Sequence, residues 1–175
     1  MAETLLLDAA QPRTAVYRQL LPQLRALVES EPDSIANAAN LMAGLRQALG
    51  FFWVGIYYVR RSGTGNSEEL VLGPFQGPIA CTRIRHGRGV CGAAWAEART
   101  IVVPDVEAFP GHIACSSESK SEIVVPVFSA DGRVVAVLDV DSDHLNDFSA
   151  EVDQAPLEEV ATLLARYGVA TAWHP

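Results

Sequence analysis

The sequence contains no apolar run approaching the ~18 residues that a membrane-spanning helix requires, which excludes a helical span. Basic residues are scarce. Thirteen Lys and Arg stand against 21 Asp and Glu, giving a formal net charge of −8 at pH 7. Gripping a phosphate backbone needs a face on which Lys and Arg dominate, so no nucleic-acid partner is expected. The one basic cluster, RIRHGR at Arg83–Arg88, reads as a solvated loop. A basic leader is also missing, since MAETLLLDAAQPR carries Glu3 and Asp8. It is not a secretory signal, and the expected location is cytoplasmic. The three cysteines are an odd number with no C-x-x-C pair, so neither a disulfide framework nor a four-ligand zinc site is expected. No internal repeat, low-complexity stretch or interdomain linker divides the chain.

What is present is enough for a real core. With 175 residues, 49% of them hydrophobic, the chain is long enough to fold as one domain without staples. Residues 1–13 have no pattern and are expected as a flexible arm, with the domain proper at 14–175. Thr14–Glu29 has helical spacing, with Pro22 expected to bend or restart it. A second helix follows Pro32, capped by Asp33 or Ser34 and stopped by Gly50; its apolar stripe is Ile35, Ala38, Leu41, Met42, Leu45 and Leu49. FFWVGIYYVR (Phe51–Arg60) is β-branched and aromatic and reads as a strand. Arg61–Glu69 is a turn, and Leu70–Leu72 returns antiparallel. Gly73–Pro78, with two prolines, is expected to interrupt the sheet. A short strand at Thr82–Arg85 leads to a compact helix near Val90–Ala98, and Thr100–Val103 is another short strand. The long loop Asp105–Ser119 has the length of a functional loop. Glu122–Phe128 and Arg133–Asp141 form a hairpin about the Asp131-Gly132 turn. Ser149–Tyr167 is helical, with Pro156 marking a break or a first turn. Hairpin connections predominate, so the fold class is α+β: a mostly antiparallel central sheet with helices packed on it.

Two clusters carry chemistry. In Arg133–Asp141 the alternation of a strand puts Val135, Val137, Asp139 and Asp141 on one face and Val134, Ala136, Leu138 and Val140 on the other. Carboxylates two apart on one face lie ~7 Å from each other. Repulsion and burial would raise at least one pKa, so that a proton held near neutral pH can be donated; the competing reading is a strand end running out into solvent, where acids have no such role. Glu118, Glu122 and Asp143 add to this acidic group. The cysteines form the second cluster. Cys91, in VCGAAW, fits a packed structural thiol. Cys81 lies beside Arg83, and Cys115 lies in a polar segment with His112 and Lys120. Cationic neighbours lower a thiol pKa when the sulfur is partly exposed. The residues alone leave open whether these two thiols are reactive or buried. Trp53 and Tyr57, four apart on a strand, share a face, and by themselves they read as core aromatics rather than as a binding wall.

FFWVGIYYV, LGPFQGPIACTRIRHGRGVCGAAW, PGHIACSSESKSEIVVPV and GRVVAVLDVDS, in this order, resemble the free methionine-(R)-sulfoxide reductases, single-domain proteins of the GAF fold. The resemblance spans about Thr14 to Tyr167. It implies that Cys115 is the nucleophile that attacks the sulfur of free L-methionine-(R)-sulfoxide and becomes a sulfenic acid. It implies that Cys81 resolves this as a Cys81–Cys115 disulfide, with Cys91 an alternative resolving thiol. Thioredoxin, recharged by NADPH through thioredoxin reductase, would then reduce the disulfide. Glu122, Asp139 and Asp141 match acidic residues that polarise the sulfoxide oxygen and hold the substrate ammonium. Trp53 and Tyr57 match an aromatic box around the methyl and sulfur, a contact worth ~0.3–1.5 kcal/mol. No bound cofactor or metal is implied. The family is usually dimeric, which makes a homodimer an expectation. The Arg61–Glu69 turn looks long for the family. The competing reading is a non-catalytic GAF sensor for a nucleotide-type ligand. The chain length leaves no room for the output domain such sensors carry, and a plain nucleotide pocket has no use for the cysteines and acids.

Overall fold

Helix capping sets the first boundaries. In the computed structural model, which describes residues 4–8, 10–62, 67–111 and 116–169, Asp33 caps helix α2 (Ser34–Leu49). Its carboxylate accepts hydrogen bonds from the Ile35 and Ala36 N–H groups at 2.9 and 2.8 Å. Gly50 ends the helix in a left-handed conformation, φ 70°, that favours glycine. Leu41, Met42 and Leu45 are fully buried, as the stripe predicts, but Ile35 is 62% exposed. It sits in the first turn of the helix. Helix α1 (Arg13–Glu29) runs through Pro22 without a break. The hydrogen bond that Pro22 cannot donate is outweighed by Leu20 and Leu24, both fully buried on either side of it. Of the N-terminal arm, residues 4–8 lie along α1, where the Gln23 and Gln19 side chains accept from the Leu6 and Asp8 N–H groups.

Six strands form one antiparallel sheet in the order β3-β2-β1-β6-β5-β4. They are β1 (Trp53–Arg61), β2 (Glu68–Gln76), β3 (Arg83–Arg85), β4 (Ile101–Val103), β5 (Ser121–Phe128) and β6 (Val134–Ser142). The expected interruption at Gly73–Pro78 does not occur: β2 continues to Gln76. The register slips between the Gly55–Phe75 and Tyr57–Leu72 pairs, which leaves one extra residue on β2. Pro74 falls in this bulge, beyond the reach of β3, where its missing donor is harmless. A second slip, between Val127 and Phe128, bulges β6 at its start. Val135 therefore packs with the large core and Val134 with the other face, the reverse of strict alternation.

One face of the sheet is covered by α1, α2 and α4 (Ala155–Leu163) over Val54, Ile56, Ile123, Val125, Leu138 and Val140. Pro156 occupies the first turn of α4, after a π-helical turn at Ala150–Gln154 that Ser149 caps. Buried Asp153 ties this turn to α1, accepting from the Tyr17 hydroxyl at 3.0 Å and pairing with Arg13 at 3.3 Å. The opposite face carries α3 (Gly89–Glu97) and a smaller cluster containing Trp53, Tyr57, Val124 and Val137. No helix among the described residues is long and apolar enough to cross a membrane.

Candidate active site

The cavity lies on the α3 face, and strand register builds its floor. Trp53 on β1 pairs with Asp141 on β6, which pairs with Glu122 on β5. The next row that faces the same way is Gly55, Asp139 and Val124. Cross-strand partners project to one side of a sheet, so Trp53, Asp139, Asp141 and Glu122 converge. Gly55 leaves space in this array that the Trp53 indole fills. A Cβ at position 55 would stand 2.2 Å from Trp53 Cη2 and 2.7 Å from Phe75 Cβ. The indole stacks on Phe75 at 5.4 Å and on Tyr57 at 6.0 Å. Both wall aromatics hold the loop after β2: Trp53 Nε1 donates to the Pro78 carbonyl at 3.0 Å, and the Tyr57 hydroxyl donates to the Cys81 carbonyl at 2.9 Å.

Helix α3 closes the other side with Arg88, Gly89, Val90 and Cys91. Gly89 adopts φ 61°, and α3 starts with no side-chain cap. The first-turn N–H groups of a helix have no partner within it and favour negative charge, and the Arg88 side chain adds to that polarity. The cavity thus opposes an acidic floor to an electropositive helix start.

The floor acids are held protonated more readily than ordinary carboxylates. Glu122 and Asp139 are buried, at 5% and 6% exposure. Burial first, then the nearby Asp139 and Asp141 charges, push the Glu122 carboxyl well above the usual range. Burial raises Asp139 to about 6, against the opposing effect of hydrogen bonds with Cys91 and Glu122. Burial and Asp139 raise Asp141 well above its usual value, and a hydrogen bond with Ser119 works the other way. Asp139 Oδ1 is buried with no hydrogen-bond partner among the described residues. Such a floor can hold a cation or hand over a proton.

Cys91 is a free, buried thiol whose Sγ lies 4.0 Å from Glu122 Oε1. Burial, then Asp139 and Glu122, raise its pKa well above the ordinary thiol value, so it stays an S–H at neutral pH. Cys91, Glu122 and Asp139 each place a potential metal-ligand atom within 4.8 Å of the others. Cys81 is disulfide-bonded and partly buried against the aromatic cluster.

The structure therefore brings Trp53, Tyr57, Cys91, Glu122, Asp139 and Asp141 around one cavity, with Cys81 on the loop that Tyr57 holds. Cys115 and His112 lie outside the described residues, as does the middle of the Arg61–Glu69 turn. Sequence reasoning missed Arg88, Ser119 and Gly55. Gly55, alone within FFWVGIYYV, was the one legible signal, because a strand-interior glycine marks a close approach.

A sequence profile described as the GAF domain matches residues 34–167. The curved antiparallel sheet and single-faced cavity agree with it, and the chain is a GAF-domain protein. "GAF domain-containing protein A" of Dictyostelium discoideum is 56% identical over 85% of this chain and 89% of its own length. The free methionine-R-sulfoxide reductase of Saccharomyces cerevisiae is 38% identical over 85% of this chain and 83% of its own. The solved free methionine-R-sulfoxide reductase of Neisseria meningitidis, in complex with its substrate, is 53% identical and superposes with a TM-score of 0.88 over 94% of this chain and 95% of its own. By these relationships the chain belongs to the free methionine-R-sulfoxide reductase family.

Proposed function

We propose that this protein is an oxidoreductase that reduces free L-methionine-(R)-sulfoxide to L-methionine. The observation that carries the reading is the buried carboxyl floor facing an aromatic wall, in a chain 53% identical to a reductase solved with its substrate. The indole and phenol of Trp53 and Tyr57 offer polarisable faces to the methyl and sulfur. The unpaired Asp139 Oδ1 suits the substrate ammonium, and the start of α3 with Arg88 suits its carboxylate. Pairing both ends of a zwitterion favours the free amino acid, because a residue within a peptide would leave those groups unpaired.

In this reading the Cys115 thiolate attacks the sulfoxide sulfur while Glu122 and Asp141 polarise the oxygen and one of them gives it a proton. The oxygen passes to Cys115 as a sulfenic acid, and methionine leaves with the electron pair on sulfur. The Cys81 thiol then displaces that oxygen as water and forms the Cys81–Cys115 disulfide. Thioredoxin, a dithiol, reduces the disulfide and is itself recycled with NADPH. No resident cofactor takes part. A cytoplasmic location, where thiols are kept reduced, fits this cycle, and a homodimer is the assembly the reading carries with it.

The test couples the protein to thioredoxin, thioredoxin reductase and NADPH. NADPH should be consumed with the free R sulfoxide and not with the S epimer or a sulfoxide-containing peptide. Mass spectrometry after one substrate dose should find Cys81 linked to Cys115. Cys115→Ser should abolish even one turnover, and Cys81→Ser should yield one methionine per chain but recycle slowly. No turnover of either free epimer would leave a ligand-sensing GAF domain as the better account.

A further inference from the structure

We propose that the cavity floor is also a site for a thiophilic divalent cation, Zn2+ being the natural occupant, held by Cys91, Glu122 and Asp139 and exclusive of substrate. Two independent observations carry it. The first is the convergence of one sulfur and two carboxylate oxygens, all within 4.8 Å of one another, from three elements: the first turn of α3, β5 and β6. The second is the buried Oδ1 of Asp139, a residue that lines the same cavity; this atom has no hydrogen-bond partner among the described residues. A buried acceptor left unmatched is costly and is matched by a positive ligand.

One pair of the set already stands near the spacing a metal imposes. Zinc bonds of roughly 2.3 Å to sulfur and 2.0–2.2 Å to oxygen put tetrahedral S and O ligands about 3.6 Å apart. Cys91 Sγ and Glu122 Oε1 stand at 4.0 Å, so a side-chain adjustment of a few tenths of an ångström brings this pair to that spacing, and Asp139, within 4.8 Å of both, closes in as the third ligand. The fourth position opens toward the cavity, where water or a small anion completes the coordination. The acids are hard ligands and the thiolate a soft one, a mixture that suits Zn2+ and disfavours Mg2+ and Ca2+. Binding exchanges a proton for the metal: the Cys91 S–H bond breaks, an S–metal bond forms, and H+ leaves to solvent. Affinity therefore rises with pH. The cation occupies the place of the substrate ammonium, so it acts as an inhibitor. Cys91 is the metal-holding thiol, a role independent of any part in resolving the disulfide.

The disulfide form gives a clean test, because Cys81 is then blocked and Cys91 is the free thiol among the described residues. Co2+ serves as a spectroscopic stand-in for Zn2+. Wild-type protein should develop a thiolate-to-cobalt charge-transfer band that saturates at one equivalent, and added Zn2+ should abolish it. Cys91→Ser should remove the band, and Asp139→Asn should weaken cobalt binding tenfold or more. Calorimetry with Zn2+ should show the same loss in both variants and proton release in wild type. Methionine sulfoxide should displace the metal, and Zn2+ should raise KM in the reductase assay without lowering kcat. No band in wild type, a band that persists in Cys91→Ser, or Zn2+ affinity unchanged in Asp139→Asn would each overturn the proposal. Because the band is read without turnover, its outcome stands apart from that of the reductase reading.

Discussion

Glu122 on β5 stands directly opposite Asp141 on β6, at the floor of one cavity. Facing ionised carboxylates destabilise a strand pair, and burial raises the pKa of both groups. When a carboxyl's folded pKa lies above its unfolded value, the native state binds more protons than the unfolded chain. Its stabilising contribution is complete below the unfolded value of ~4 and is lost as pH rises through the folded value. Urea-unfolding midpoints should therefore fall as pH rises from ~5 to ~8, the window above the unfolded carboxylate range. Asp147, whose pKa is lowered, acts with the opposite sign but on the acid side of that window. Glu122→Gln should flatten the slope and at the alkaline end equal or exceed the wild type in stability. A midpoint that climbs with pH in the wild type would contradict the protonated floor.

The same protons govern the chemistry. Oxygen departure needs a carboxyl that is still protonated, whereas attack needs a thiolate. Single-turnover methionine formation should thus follow a bell-shaped pH profile, its alkaline limb set by the raised floor acids. Asp141→Asn cannot release a proton to the oxygen. It should slow the step by roughly 10²–10⁴-fold, the usual range for general acid catalysis, and shift that limb, which Glu122 is then left to set. Rapid-quench measurement of methionine across pH reads both effects. An unchanged rate would take Asp141 out of the reaction.

Tyr57 contributes a ring and a hydroxyl with separable roles. Its hydroxyl holds the Cys81 carbonyl at 2.9 Å, while its ring stacks on Trp53. Tyr57→Phe keeps the ring and releases the loop that carries Cys81. The expected result is near-normal KM and first-turnover rate with slower disulfide formation, followed by mass spectrometry of quenched samples. A hydrogen bond of this kind is worth about 0.5–1.5 kcal/mol, so the slowing should be on the order of tenfold or less. A rise in KM with no change in disulfide formation would assign the hydroxyl to substrate instead.

Local patterns made much of this legible. A four-residue spacing on a strand put Trp53 and Tyr57 on one face, and a two-residue spacing did the same for Asp139 and Asp141. What escaped the sequence is what pairing decides. The GPF segment reads as a loop, yet a bulge keeps it in β2, because only the partner strand reveals an extra residue. Cys91 reads as a packed structural thiol and is indeed buried. That its sulfur meets Glu122 follows from how α3 lies across β5, a contact 31 positions apart in sequence. Arg88 reads as part of a solvated loop, and its side chain is exposed. Its place at the cavity rim comes from the tight α3 entry, where a Cβ on Gly92 would come within 2.5 Å of the Arg85 carbonyl oxygen.

Gly55 gives the sharpest test of the aromatic wall, because it acts only through space. A methyl group at this position would meet Trp53 Cη2 at 2.2 Å and Phe75 Cβ at 2.7 Å, well inside contact distance. The indole cannot retreat along the wall, since Phe75 and Tyr57 stack against it and its Nε1 is held by the Pro78 carbonyl. The indole also lies close over Gly77, where an added Cβ would be 2.5 Å from Trp53 Cδ1. Gly55→Ala should therefore turn the indole into the cavity or out of the stack. Overpacking of this kind costs about 1–3 kcal/mol, visible as a lower urea midpoint. Losing one or two sulfur–aromatic contacts should raise KM by roughly tenfold. The thiol chemistry uses none of these atoms, so kcat at saturation should fall far less than KM rises. Tryptophan fluorescence and near-ultraviolet circular dichroism would report the displaced indole directly. Unaltered spectra and an unaltered KM in the Gly55→Ala variant would show that the wall does not depend on the space Gly55 leaves.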